Sequence, residues 1–212
     1  MKITLENIGR RYNREWIFRQ VNYEFVSGGR YAVLGANGSG KSTLLQIIAG
    51  SLSPSEGQIS YSDMGNKIDV EHIFRNISLA TPYLELIEEF TLTELAEFHF
   101  RFKKRFPGTD TNTLIKLLGF EKARNKPLRN FSSGMKQRVK LALALCSDTP
   151  ILLLDEPTAN LDKQGINWYL ELVELFSADR LVIVCSNQEH EYQFCDEYFQ
   201  VTDYKDFSFL NK

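Results

Sequence analysis

The feature that most constrains the fold is a glycine-rich octapeptide, GANGSGKS at residues 35–42, which lies between two apolar segments. The segment before it, YAVL at residues 31–34, is a short continuous apolar run typical of a strand buried on both faces. The segment after it, residues 41–49, has helical apolar spacing and stops at Gly50. The order of strand, glycine-rich turn and helix predicts an α/β fold with a buried parallel sheet.

The octapeptide also matches the pattern G-x-x-x-x-G-K-[ST], which binds phosphate when it connects a strand to a helix. Glycine lets the loop wrap until successive backbone N–H groups point at one anion, and the helix N-terminus adds a favourable dipole. Lys41 adds positive charge, and the Ser42 hydroxyl can ligate Mg²⁺. The alternative is a glycine-rich turn that matches by chance. The predicted phosphate-binding residues are Gly35, Ala36, Asn37, Gly38, Ser39, Gly40, Lys41, Ser42 and Thr43.

Further strands define the fold class. Residues 151–154 and 181–185 are apolar runs that lead directly into polar residues, which predicts two more buried parallel strands. Near the N-terminus apolar and polar residues alternate, which predicts half-buried antiparallel strands; the apolar positions are Ile3, Leu5, Val21, Tyr23 and Phe25. We therefore predict an α/β fold: a parallel-sheet core with an N-terminal antiparallel β-subdomain and an inserted α-helical subdomain.

The inserted subdomain is predicted at residues 82–137, where apolar side chains recur at helical spacing. Within it, FHFRFKKRF at residues 98–106 combines aromatic and basic side chains, as nucleic-acid-binding segments do. Phe98, Phe102 and Phe106 would share one helical face with the cations mostly off it, so we predict an amphipathic helix instead. The formal net charge of −2, from 25 basic and 27 acidic side chains, also disfavours a nucleic-acid partner.

Two adjacent carboxylates, Asp155 and Glu156, follow the predicted strand at residues 151–154. The carboxyl ends of such strands are where α/β sheets place their ligands. Asp155 would hold Mg²⁺, and Glu156 would polarise the water that attacks a terminal phosphate. The alternative is an N-cap pair that begins the next helix, which Pro157 and Thr158 would also suit.

Between these two motifs lies FSSGMKQR at residues 131–138, which resembles the signature loop of the ATP-binding-cassette (ABC) transporter family. Together the motifs resemble, in order over nearly the whole chain, the nucleotide-binding subunit of such a transporter. As bare sequence, Ser-Ser-Gly before an amphipathic segment is also a helix N-cap.

The resemblance implies ATP and Mg²⁺ as cofactors and a dimer, homo- or heteromeric, that closes head to tail around two nucleotides. The signature residues Ser132, Ser133, Gly134 and Met135 would then act in trans on the nucleotide of the partner. Asp162 falls in the family's D-loop, which contacts the partner protomer, and Tyr12 falls where the family places an aromatic that stacks on adenine. For a lone tyrosine the alternative is strand packing.

Three positions depart from the family pattern. Pro82 stands where the family has a glutamine that reaches Mg²⁺, and Thr81 or Tyr83 could substitute in part. Ser133 replaces a glycine, which adds a Cβ where backbone approaches phosphate.

The third departure is Asn187, which replaces the family's switch histidine. Its amide can hydrogen-bond a phosphate oxygen but cannot carry a proton, so we expect a catalytic contact from Asn187 and slow hydrolysis. His190, three residues later, is a candidate substitute.

We therefore expect a single ABC-type ATPase domain over residues 1–212, with the ATP-binding core at residues 1–81 and 138–212. Its expected function is to power a separate transmembrane permease subunit from the cytoplasmic face of a membrane. The alternative is a slowly hydrolysing ATP-dependent clamp.

The chain has no apolar segment long enough to span a membrane or to direct export. Its three cysteines are expected to be core residues in a reducing compartment.

Overall fold

The computed structural model describes residues 1–205, which form two β-sheets and a group of helices. The strands are β1 (Lys2–Tyr12), β2 (Glu15–Val26), β3 (Arg30–Leu34), β4 (Glu56–Asp63), β5 (Asn66–Ile68), β6 (Ile77–Ala80), β7 (Ile151–Asp155), β8 (Leu181–Cys185) and β9 (Glu197–Gln200). The helices are α1 (Lys41–Ile48), α2 (Leu92–His99), α3 (Thr111–Leu118), α4 (Ser133–Leu145), α5 (Lys163–Phe176) and α6 (Glu189–Tyr192). Short 3₁₀ turns occupy Val70–Asn76, Glu121–Ala123, Leu128–Asn130 and Val201–Tyr204.

The central sheet is parallel and has the strand order β6-β7-β8-β3-β9. Alternate residues of β7 pack on opposite faces: Ile151 and Leu153 contact the layer that contains α1, and Leu152 and Leu154 contact the helical layer. Because both faces are covered, residues 151–154 of β7 and the whole of β8 are apolar, as predicted. The carboxyl ends of these parallel strands meet at one edge of the sheet.

The second sheet is antiparallel, with the order β2-β1-β4-β5, and it confirms the N-terminal prediction. Its predicted apolar positions Ile3, Leu5, Val21 and Phe25 are buried against α1 and the central sheet, and Tyr23 is partly buried there. This sheet therefore covers one face of the parallel sheet next to the glycine-rich loop.

The helical subdomain contains α2, α3 and the start of α4. Thr91 and Glu94 form a reciprocal capping box at the start of α2, and the Asp110 side chain caps α3. Trp168 of α5 donates its indole N–H to the carbonyl of Leu117 at 2.7 Å, which connects this subdomain to the core.

The prediction of one amphipathic helix through residues 98–106 is wrong. Helix α2 ends at His99, and Phe102 is 70% exposed. Arg105 instead bridges to Ser147, and the backbone N–H of Phe106 donates to the carbonyl of Cys146 at 2.8 Å. Phe106 packs its ring against Phe176. Pairing with a distant segment therefore overrides the local helical spacing.

The expected boundary between residues 137 and 138 falls inside α4, which continues without a break from the helical subdomain into the core. The helix that begins at the signature segment is thus one rigid element shared by both parts.

Cys146, Cys185 and Cys195 are free and buried, as predicted. Among residues 1–205 we find no helix long and apolar enough to cross a membrane.

A buried arginine connects three elements at the amino end of β7. The Arg180 Nη2 donates to the hydroxyls of Ser78 (2.6 Å) and Thr149 (2.8 Å), and Nη1 donates to the carbonyls of Leu145 and Phe176. Burial lowers the pKa of Arg180 to about 10. Its hydrogen bonds go to neutral oxygens, so each one offsets part of the cost of burying the charge.

We expect Thr149→Val to destabilise the fold because it removes one acceptor of the Arg180 guanidinium. The expected loss is about 1–3 kcal/mol of unfolding free energy, measured by urea denaturation. The exposed Thr202→Val is the control and should change stability little. Equal unfolding midpoints for Thr149→Val and the unchanged chain would contradict this assignment.

Candidate functional site

The glycine-rich loop connects β3 to α1 at the carboxyl edge of the parallel sheet. Gly40, the N-cap of α1, has φ 106°, a conformation that residues with a Cβ rarely adopt. A Cβ there would lie 2.4 Å from Ile17 Cγ2 of the antiparallel sheet. The close approach of that sheet to the loop therefore requires glycine at this position.

A cavity of about 310 Å³ opens over this loop. Most of its wall consists of residues predicted to bind phosphate, and side chains from other elements complete it. The lining residues are Ile17, Asn37, Gly38, Ser39, Gly40, Lys41, Ser42, Thr43, Tyr83 and Glu156. Gly35 and Ala36 lie behind this wall, where their carbonyl oxygens accept hydrogen bonds from Lys41 Nζ at 2.8 and 3.4 Å.

Asp155 ends β7 beside Ser42, and the two residues line a second, smaller cavity of about 60 Å³. Asp155 is 2% exposed, and its Oδ1 atom has no hydrogen-bond partner among the described residues. Burial raises the pKa of the Asp155 carboxyl above its usual range, as does the adjacent Glu156, while the Ser42 hydroxyl and the Lys41 charge oppose the rise. A buried carboxylate oxygen without a partner, next to a hydroxyl, has the chemistry of a hard-cation ligand set such as Mg²⁺ prefers.

Glu156 lies on the wall of the larger cavity, in a strained conformation with φ 42°. Its backbone N–H donates to the carbonyl of Cys185 at 2.9 Å, which extends the pairing of β7 with β8 by one residue. The alternative that Asp155 and Glu156 cap a helix is wrong, because α5 begins at Lys163 and Asp162 is its N-cap.

Asn187 follows β8 and reaches the glycine-rich loop, where its Nδ2 donates to the Asn37 Oδ1 at 2.7 Å. The structure therefore brings this predicted residue to the glycine-rich loop. His190 is directed elsewhere, because its Nε2 lies 3.0 Å from the Thr158 hydroxyl. The position of His190 does not support the prediction that it takes the place of the switch histidine.

The segment after β6 contributes side chains on both sides of Pro82. Thr81 and Tyr83 line the small cavity with Ser42 and Asp155, and Tyr83 also lines the larger cavity. The carbonyl of Pro82 accepts a hydrogen bond from Lys140 Nζ of α4 at 2.7 Å. Lys140 is a contact that sequence analysis missed, since it lies among apolar residues of α4.

The signature segment begins α4 but does not line the cavity over the glycine-rich loop. The Ser132 hydroxyl caps this helix by accepting from the backbone N–H of Met135 at 3.2 Å. A Cβ on Gly134 would lie 2.8 Å from the carbonyl oxygen of Asn160, so this glycine permits close packing of the first turn of α4 against the loop that contains Asn160. Ser133 lines a separate cavity with Pro82 and Asn160.

Two other predicted residues also lie outside the cavity. Asp162 accepts a hydrogen bond from the backbone N–H of Gly165 at 2.7 Å as the cap of α5. Tyr12, at the end of β1, is 46% exposed, and the Arg10 guanidinium lies 4.6 Å from its ring centroid. Ile17, which the sequence analysis did not select, is the residue of the antiparallel sheet that lines the cavity.

Comparison with known proteins places this chain in a family. The sequence profile described as "ABC transporter" matches residues 18–159. The chain is 35% identical over 201 residues to the energy-coupling factor transporter ATP-binding protein EcfA1 of Thermotoga maritima, covering 91% of this chain and 74% of that protein. It is 28% identical over 198 residues to the lantibiotic transport ATP-binding protein SrtF of Streptococcus pyogenes, covering 87% and 79% respectively.

Among solved structures, the dimeric post-hydrolysis state of the ATP-binding cassette MJ0796, bound to ADP and Pi, is 25% identical to this chain. The two structures superpose with a TM-score of 0.80 over 94% of each chain. The fold thus agrees with the sequence relationship. The chain belongs to the ABC transporter family, and it is an ATP-binding and ATP-hydrolysing subunit of that family.

Proposed function

We propose that ATP binds with its phosphates over the glycine-rich loop and that Glu156 activates the water that hydrolyses it. The observation that carries this proposal is the single cavity in which Lys41, Ser42 and Glu156 meet. Lys41 and the loop N–H groups neutralise phosphate charge, and Glu156, which lines the same cavity, accepts a proton from the attacking water.

Mg²⁺ fits the residues at the end of β7. We propose that Ser42 and Asp155 hold it, since Asp155 Oδ1 is buried without a partner and Ser42 lies beside it. Bound there, the ion would neutralise charge that develops on the phosphates. Thr81 and Tyr83 line the same small cavity, and we propose that their hydroxyls take the place of the side chain that Pro82 lacks.

A second copy or a related subunit completes the site. The signature segment does not line the cavity of its own chain, and its helix N-terminus can stabilise an anion presented by a partner. Ser132, Ser133, Gly134 and Met135 would therefore contact the nucleotide of the opposite protomer, and Asp162 would lie in the contact between protomers. The similar protein MJ0796 is dimeric, which supports the dimer in this proposal by analogy.

We propose that Tyr12 stacks on the adenine ring of ATP. Its ring is half-exposed at the end of β1, the strand that pairs with the one carrying Ile17. The Arg10 guanidinium already covers one ring face, so adenine would stack on the other.

The membrane subunit would dock on an apolar groove of about 440 Å³ between the core and the helical subdomain. Exposed aromatic rings of Phe74, Phe98 and Phe102 line it. ABC transporters move cargo across membranes, and among residues 1–205 no helix could cross one. We therefore propose a separate permease as occupant of the groove, with the ATPase held on the cytoplasmic face of the membrane by this contact.

The alternative function is a slowly hydrolysing clamp that binds ATP to hold a membrane complex closed. Asn187 and Pro82 favour it, because the Asn187 amide cannot carry a proton and Pro82 has no metal-binding side chain. Glu156 favours the transport motor, because a clamp does not need a general base. Turnover measurements on Asn187 variants distinguish the two.

We expect Lys41→Met to weaken ATP binding by at least about tenfold, because it removes the buried cation of the phosphate loop. Equilibrium binding measures the effect, and circular dichroism checks that the fold is retained. Lys67→Met, at an exposed position on β5, is the control. Unchanged ATP affinity in Lys41→Met would contradict the proposed phosphate-binding role of the glycine-rich loop.

We expect Glu156→Gln to bind ATP without turnover and to accumulate an ATP-dependent dimer, because glutamine keeps the shape of the side chain but cannot accept the proton. Phosphate release and size-exclusion chromatography are the measurements. Glu171→Gln, exposed on α5, is the control. A Glu156→Gln chain that stays monomeric with ATP would count against the trans arrangement.

We expect Asn187→His to raise ATP turnover several-fold at neutral pH, because an imidazole can position the attacking water and donate to the phosphate. Asn187→Ala should lower turnover, since loss of one group at the phosphate can cost about 10²-fold. Steady-state phosphate release measures both. If the unchanged chain already turns over at about 1 s⁻¹ and Asn187→His is slower, the slow-clamp alternative fails.

A further inference from the structure

Glu191, on α6, has no solvent exposure, and the roles proposed above do not use it. Burying a carboxylate is costly unless hydrogen bonds satisfy its oxygens. The Oε1 atom accepts from the backbone N–H of Thr158 at 2.7 Å and also from the Thr158 hydroxyl. The Oε2 atom accepts from the Ser186 hydroxyl. Among the described residues no cation forms an ion pair with Glu191.

These partners belong to the two loops that carry Glu156 and Asn187. Thr158 follows Glu156 by two residues, and Ser186 immediately precedes Asn187. The Ser186 Oγ also accepts from the backbone N–H of Gln188 at 2.8 Å, which fixes the turn that contains Asn187. A single buried side chain thus holds both loops.

The backbone pairing of β7 and β8 ends before Thr158 and Ser186. The ladder ends at Asp155 and Cys185, and one further bond joins the Glu156 N–H to the Cys185 carbonyl. Beyond this point no backbone hydrogen bond among the described residues joins the two segments, and Glu191 supplies the next connection between them. The strained φ of Glu156 needs such support, because a disfavoured conformation persists only where the surroundings fix it.

The Thr158 hydroxyl also forms a hydrogen bond with His190. It has one proton, which it donates to Glu191, so it accepts a hydrogen bond from the Nε2–H of His190 at 3.0 Å. His190 thereby faces Thr158 and supports the same loop from α6.

We propose that Glu191 is a positioning residue for ATP hydrolysis, and that its carboxylate sets the separation between the loops of Glu156 and Asn187 so that both act on one terminal phosphate. The proposal rests on the roles proposed above for these two residues. It requires the geometry of the acceptor oxygens rather than the negative charge. Glutamine can keep that geometry, since its Oε1 accepts both Thr158 donors and the Ser186 hydroxyl can rotate to accept from its Nε2.

The test compares Glu191→Met, Glu191→Gln and Thr149→Val by kcat and by equilibrium binding of ADP. Glu191→Met should lower kcat by about 10²-fold, as expected when catalytic groups are misplaced, and should leave ADP affinity within about twofold. Glu191→Gln should retain most of the activity. Thr149→Val disturbs a buried network at the opposite end of β7 and should not change kcat.

Three results would overturn the proposal: normal kcat in a folded Glu191→Met chain, equal losses in Glu191→Met and Glu191→Gln, or an equal kcat loss in Thr149→Val. Should Glu191→Met not fold, Ser186→Ala removes the connection between Glu191 and the Asn187 loop, together with the Ser186–Gln188 hydrogen bond, and keeps both hydrogen bonds from Thr158 to Glu191. In Ser186→Ala the further loss from Asn187→Ala should be smaller than in the unchanged chain, because Asn187 is already misplaced. Additive losses would contradict the role of Glu191.

The Glu156→Gln chain separates this proposal from the one on which it rests. If Glu156→Gln retains turnover, both proposals fall. If Glu156→Gln abolishes turnover while Glu191→Met and Ser186→Ala keep normal kcat, only the positioning role of Glu191 is overturned.

Discussion

The parallel pairing of β7 with β8, and of β8 with β3, is the interaction on which the rest of the site depends. Backbone hydrogen bonds fix the strands in register, and apolar layers on both faces keep water from competing for those bonds. The carboxyl ends of the three strands therefore lie side by side. Each end carries one part of the site: the glycine-rich loop, Asp155 with Glu156, and Asn187.

Beyond the strand ends, side chains hold the loops where backbone pairing stops. Lys140 connects the signature helix to the Pro82 carbonyl, and Glu191 connects the segments after β7 and β8. Both side chains are buried and form hydrogen bonds with groups far away in sequence. The hydrogen bond from Lys140 thus connects α4 to the segment that carries Tyr83, which lines the cavity over the glycine-rich loop.

We propose that the departures from the family pattern affect hydrolysis more than binding. Lys41, Ser42 and the glycine-rich loop match the phosphate-binding pattern and line the cavity, and in this proposal they supply most of the affinity for ATP. Asn187 occupies a place at the loop where a neutral amide can donate a hydrogen bond, as its contact with Asn37 illustrates. Pro82 contributes only its carbonyl, and that oxygen is engaged by Lys140.

The sequence by itself determined the strand, loop and helix around residues 35–42, the buried β7 and β8, the antiparallel start and the acidic pair at the end of β7. These are local signals, in which periodicity and residue type report which backbone conformation and which face are favoured. Only the tertiary structure decided that residues 100–106 leave the helix, because Phe106 pairs with Cys146. It also decided that Glu191 is buried while Glu189 on the same helix is exposed. Long-range hydrogen bonds determine where the helix ends and which glutamate is buried. A sequence pattern does not reveal which distant donor will meet a given acceptor.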